Sequence, residues 1–139
     1  MHKKDLGTWG EMFVVSALLE NNINVYTSVG DNTKADIVAE DSAGNLYKIQ
    51  VKTKTREKNS PGTNILYFYK TGPNYQFKYT EEQVDWFALV DTETKKIAWI
   101  PSIYLQKYDR AIALRHDKPK NNQTSRVSMF DDFTEIPFK

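Results

Sequence analysis

No cysteine occurs among the 139 residues, which excludes a disulfide framework and thiolate chemistry. Histidine is nearly as scarce: His2 and His116 alone cannot build a zinc site of the usual Cys/His kind. Long apolar runs are also missing. The longest, Met12 to Leu19, is far shorter than the ~20 residues needed to cross a bilayer. His2-Lys3-Lys4 is followed by Asp5 and Gly7, not by the apolar core of a secretory leader. There is no internal repeat and no long linker. These absences leave an expectation of one domain over residues 1–139, soluble and intracellular (cytoplasmic), with no membrane partner.

A large net charge is absent too, since the formal balance is +1. Its distribution is uneven. Lys48 to Lys78 holds seven basic residues against one acidic, and Lys107 to Arg126 holds six against two. Between them, Glu81 to Glu93 holds five acidic residues and no basic one. Two basic segments can form a phosphate-binding surface under a near-neutral total, and so can a plain set of solvated lysines.

The pattern along the chain predicts a helix over Thr8–Asn21, with Thr8 and Glu11 as a capping box and the apolar run Met12–Leu19 buried on most sides. Strands are expected at Ile23–Ser28, Ile65–Lys70 and Tyr75–Thr80, and a hairpin at Trp86–Val90 with Lys96–Ile100. Lys54–Asn64 reads as an exposed loop. Pro101 and Ser102 open a short helix through Leu105, and the chain after Arg115 reads as polar loop. Helix, strands, short helix and strands together indicate an α/β or α+β layered domain with a mixed sheet.

The most informative stretch is Asp36, thirteen further residues, then Gln50-Val51-Lys52. Asp41-Ser42-Ala43-Gly44-Asn45 is turn-like, and a hairpin centred on Ala43 sets position 36 opposite position 50. Alternation then places Asp36, Val38, Lys48, Gln50 and Lys52 on one face, and Ile37, Ala39, Tyr47, Ile49 and Val51 on the other. The aliphatic face fixes the register, because a one-residue slip would bury the charges. Asp36 can offer an anionic oxygen to a hard cation, Gln50 a neutral amide oxygen, and Lys52 an ammonium for a charged transition state. Such a set suits phosphodiester hydrolysis. Glu11 is the candidate for a further acid, because Val14, Val15 and Leu18 share its helical face and a carboxylate there is costly unless paired. The simpler alternatives are a solvated polar face for the hairpin and a helix cap for Glu11.

At these residues the sequence resembles the PD-(D/E)XK nuclease superfamily. The resemblance covers Gly7 to Thr53. It consists of Gly7-Thr8-Trp9-Gly10-Glu11 opening an apolar helix, Gly30-Asp31-Asn32-Thr33-Lys34-Ala35-Asp36 leading into a strand, and Gln50-Val51-Lys52-Thr53 closing the next. Ala35 replaces the motif proline and Gln50 the usual acid. The pattern is closest to the small homing endonucleases of bacterial group I introns, which share the glutamine and a segment like Leu114-Arg115…Pro119-Lys120-Asn121-Asn122. Archaeal Holliday junction resolvases, with the leading helix glutamate, come second.

The resemblance implies a restriction-endonuclease-like core, a mixed β-sheet flanked by helices. Residues 1–53 would carry the motif and 107–139 a C-terminal DNA-contacting extension. Asp36, Gln50 and Glu11 are the expected metal ligands and Lys52 the active-site lysine. The expected cofactor is Mg²⁺, with Mn²⁺ as a substitute, and the expected partner is double-stranded DNA. One site cuts one strand, so a homodimer or homotetramer is expected. Lys54, Arg56 and Lys58 would contact phosphate, with Lys120 on the second basic segment. Asn121, Asn122, Gln123 and Arg126 would reach base edges. The rival expectations are a Holliday junction resolvase or other structure-specific nuclease, and a DNA-binding module that lost catalysis through Gln50.

Overall fold

The first helix, α1, runs Lys3–Glu20, so it begins a full turn before its Thr8 signal. His2 caps it through its side chain, which accepts from the Lys4 N–H. Thr8 lies inside the helix and donates its hydroxyl to the Lys4 carbonyl. The expected Thr8–Glu11 capping box is therefore absent. The C-terminus follows the expectation: Asn22 takes a positive φ of 61°, and the Asn22 and Ile23 N–H groups return to the Leu19 and Leu18 carbonyls. The helix is one-sided rather than buried on most sides. Gly10, Val14 and Leu18 are buried at i, i+4 spacing, whereas Met12 and Leu19 are about half exposed.

The computed structural model describes residues 1–30, 35–55, 65–69, 84–105, 111–117 and 128–138. After α1 come β1 (Asn24–Thr27), β2 (Ile37–Glu40), β3 (Leu46–Lys54), β4 (Ile65–Tyr69), β5 (Trp86–Asp91) and β6 (Lys96–Pro101). The short helix α2 (Ser102–Leu105), β7 (Ala111–Arg115) and a 3₁₀ turn at Phe130–Phe133 complete the chain. The strands β1-β2-β3-β5-β6 form one sheet in that order, and β4 pairs with β7 in a separate antiparallel ribbon. Only β3 and β5 run parallel within the five-stranded sheet. The sheet is mixed, as expected. Among the described residues, no helix is long and apolar enough to cross a membrane.

Period-two alternation divides the core between the two faces of the sheet. Ile37, Ala39, Ile49, Val51, Ala88, Val90, Ile97 and Trp99 meet Val14 and Leu18 of α1 on one face. Phe87, Leu89, Ala98 and Ile100 meet Ile112, Leu114 and Phe130 on the other. β5 and β6 are thus buried on both faces, which explains their near-continuous apolar runs. β2 and β3 bury one face only.

Several expectations fail after residue 100. The short helix through Leu105 forms as expected but opens at Ser102, since Pro101 still belongs to β6, and β7 forms where no strand was expected. The polar-loop reading after Arg115 misses two core residues, Phe130 and Phe138, at 0% and 3% exposure. Phe138 stacks on Tyr47 and meets the edges of Trp86 and Trp99. Burying each phenylalanine contributes about 1.5–3 kcal/mol, enough to hold the last residues on the sheet. The Arg115 N–H bonds the Ser128 carbonyl at 2.9 Å, so the chain leaves β7 and returns at one point. The Tyr75–Thr80 strand and nearly all of the Lys54–Asn64 loop lie outside the described residues; Lys54 itself ends β3.

Candidate active site

The β2–β3 register pairs Ile37 with Ile49 and Glu40 with Leu46, a symmetric ladder that begins at Ile37, one residue after Asp36. No bulge intervenes. The turn is closed by the Asp41 N–H to the Asn45 carbonyl and by Gly44 at φ +87°, a conformation open to glycine. The Asp41 carboxylate accepts from the backbone of Ala43 and Asn45, from the Asn45 amide and from the Tyr47 hydroxyl. The bond from the Asn45 N–H holds it below the usual carboxylate range, with those from the Asn45 amide, Tyr47 and Ala43 adding to the effect.

Asp36 sits just before β2 begins, alongside the continuing β3. Its N–H donates to the Ile49 carbonyl at 2.8 Å, and its Oδ2 accepts from the Val51 N–H at 2.8 Å. The carboxylate therefore lies at the edge of β3, in the fork between the strands, rather than standing on the polar face beside Gln50 and Lys52. The reason is local: past the last ladder pair the Val51 N–H needs an acceptor, and the nearest anionic oxygen supplies it.

Gln50 and Lys52 are in register with Phe87 and Leu89 of β5, whose side chains lie on the sheet face away from α1. Glu11 approaches from α1, on the opposite face. Asp36 is in electrostatic reach of both Glu11 and Lys52. Burial raises the Glu11 carboxyl above its ordinary value, and the negative charge of Asp36 raises it further. Burial likewise raises Asp36, against the lowering effects of the Val51 N–H and of the Lys52 ammonium. Among the described residues, Glu11 and Gln50 have no side-chain hydrogen bond and Asp36 has the one to Val51. With the cap gone, nothing structural occupies Glu11.

Two half-buried carboxyls whose ionisation is disfavoured make a donor set that a divalent cation would relieve. The set fits a hard ion with oxygen ligands. Among the described residues, no group of three or more His, Cys, Asp or Glu side chains forms a fuller metal cluster. Lys54 shares the β3 face of Lys48, Gln50 and Lys52. Arg56, Lys58, Lys120, Asn121, Asn122, Gln123 and Arg126 lie outside the described residues.

Gly10 was the residue whose role the motif reading left unexplained. A side chain there would collide with Thr53, the residue after Lys52. Its signal in the sequence is a glycine in the middle of a helix, directly before the candidate acid.

Comparison with known proteins supplies a family and a fold. The PD-(D/E)XK endonuclease family model matches residues 1–136. A solved structure of a bacterial homing endonuclease, I-Ssp6803I, superposes with a TM-score of 0.72 at 21% identity, covering 91% of this chain and 86% of that one. At that identity the likeness shows a shared fold. No curated protein matches the chain. The family match takes in α1, the hairpin and the chain almost to Phe138, so the chain belongs to the PD-(D/E)XK endonuclease family of nucleases.

Proposed function

We propose that this protein is a Mg²⁺-dependent endonuclease that hydrolyses phosphodiester bonds of duplex DNA, in the manner of a homing endonuclease. The observation that supports the reading is the Asp36 carboxylate held in the β2–β3 fork by the Val51 N–H, with the Glu11 carboxylate and the Lys52 ammonium in electrostatic reach of it. Asp36, Glu11 and the Gln50 amide oxygen would hold the ion, and Mn²⁺ would substitute for it. When bound, the ion supplies charge neutralisation at the phosphate and a more acidic water. Asp36 is pre-set for ligation because the Val51 N–H fixes one carboxylate oxygen and leaves the other available. Lys52 sets its ammonium where negative charge grows on the transferring phosphate. Gln50 keeps the site one negative charge short of the usual motif, which loosens the hold on the ion.

Lys54, Arg56 and Lys58 would track the phosphate backbone, together with Lys120. Asn121, Asn122, Gln123 and Arg126 would read bases through amide and guanidinium pairs. Cutting both strands calls for two sites, hence a homodimer or homotetramer.

A randomised duplex library incubated with the protein and Mg²⁺, followed by sequencing of the ends, tests the reading. Cleavage that EDTA stops and Lys52→Ala abolishes is the expected result. No cleavage with either Mg²⁺ or Mn²⁺, from a folded protein that still binds duplex, would instead identify a DNA-binding module. Preferential cutting of four-way junctions irrespective of sequence would identify a junction resolvase.

A further inference from the structure

Glycine in mid-helix weakens the helix relative to alanine, so its presence calls for a reason. Gly7 and Gly10 both lie in α1, and they differ. A Cβ at Gly7 meets nothing within 4 Å. A Cβ at Gly10 would fall on Thr53 Oγ1, with Thr53 Cβ at 2.9 Å and Cγ2 at 3.2 Å. Rotating the threonine moves Oγ1 and Cγ2 but not Cβ, which is fixed to the strand. Relief would require the helix to rise from β3. The contact joins two segments of the site: Gly10 precedes Glu11, while Thr53 follows Lys52 and lies two residues beyond Val51, whose N–H holds Asp36.

We propose that Gly10 is a positioning residue, seating α1 on Thr53 at the height that delivers the Glu11 carboxylate to Asp36. The proposal rests on the reading of Glu11, Asp36 and Lys52 as the nuclease site. It assigns Gly10 no contact with substrate; the residue acts through Glu11.

A double-mutant cycle tests it, with cleavage of a duplex cut by the wild type in Mg²⁺ and Mn²⁺ binding without DNA as readouts. Gly10→Ala should slow cleavage on the order of 10²-fold, as expected of a misplaced catalytic group, and weaken Mn²⁺ binding. On a Glu11→Gln background the same substitution should cost nothing further. Gly7→Ala should leave both readouts unchanged. An equal loss in both backgrounds, or full activity in Gly10→Ala, overturns the proposal. If Glu11→Gln alone cleaves like the wild type, the reading of the site itself fails, and the joint with it. Gly10→Ala/Thr53→Gly removes the clash from the strand side and covers the case in which the single variant does not fold. It should recover Mn²⁺ binding, and a folded double variant with the single variant's expected loss would overturn the proposal.

Discussion

Two hairpins of one sheet each present an aspartate at a strand end, Asp36 at the entry to β2 and Asp91 at the exit of β5. Asp91 is wholly buried, and its carboxylate accepts from the Glu93 N–H at 3.0 Å and the Thr94 hydroxyl at 2.8 Å, and pairs with His116 Nε2 at 2.9 Å. His116 in turn lies against the Phe130 ring. Asp36 is less buried and has one backbone donor, with a second carboxylate and an ammonium within electrostatic reach. The difference teaches that depth of burial and spare coordination capacity are separate properties of a carboxylate. Asp91 is deeper, yet its oxygens are committed to a turn and a histidine. Asp36 keeps coordination capacity at a place where its ionised form is disfavoured.

Exchanging each aspartate for alanine tests that contrast most severely. Asp36→Ala should lower duplex cleavage about 10²–10³-fold while the protein stays folded, the scale expected for loss of a charge-stabilising group. Near-normal turnover would remove Asp36 from the site. Asp91→Ala should act the other way round, lowering unfolding free energy by about 3–5 kcal/mol, because the turn donors and His116 lose a buried partner. Urea titration measures this, and the folded fraction should cleave normally. A smaller change is expected from Gln50→Glu, which adds a negative ligand and should tighten Mg²⁺ binding about tenfold by calorimetry. Weaker binding in a folded variant would exclude position 50 from the ligand set.

The smallest effect concerns pH. Glu11 is raised by burial and by Asp36, so in the metal-free protein the folded state takes up this proton at higher pH than the unfolded chain. Its favourable contribution is complete below the ordinary carboxylate range and is lost as pH rises through the raised folded value. Glu11→Gln, neutral throughout, should therefore melt slightly higher than wild type at neutral pH in EDTA. The gap should close on acidification, and a gap independent of pH would show that Glu11 titrates normally.

Much of this contrast was legible in the chain. Turn symmetry about Ala43 and an alternating aliphatic face were enough to pair Ile37 with Ile49 and so bring Asp36 to the Gln50-Val51-Lys52 end of β3, because one slip would have turned the hairpin inside out. The apolar runs of β5 and β6 likewise announced strands. Less could be read where tertiary contacts override local signals. Thr8 is a good cap residue, yet His2 captured the helix start and Thr8 bonded back within the helix. β7 carries Ile112 and Leu114 among alanines that favour no strand, and the β4 partner and the sheet beneath make it one. The Asp36 carboxylate turned into the fork because of an orphan N–H that no linear pattern displays. Gly10 could be seen but not interpreted until Thr53 was placed under it.

The bond from Arg115 to Ser128 has a bearing on how such a protein diversifies. With Arg115 and Met129 bridged, and His116 pinned to Asp91, both ends of the intervening chain are fixed by the framework. Lengthening a closed loop costs little, about 0.6 kcal/mol for each doubling. The two anchors draw on groups of the framework alone, so a change in the number of residues between them carries a small entropic cost.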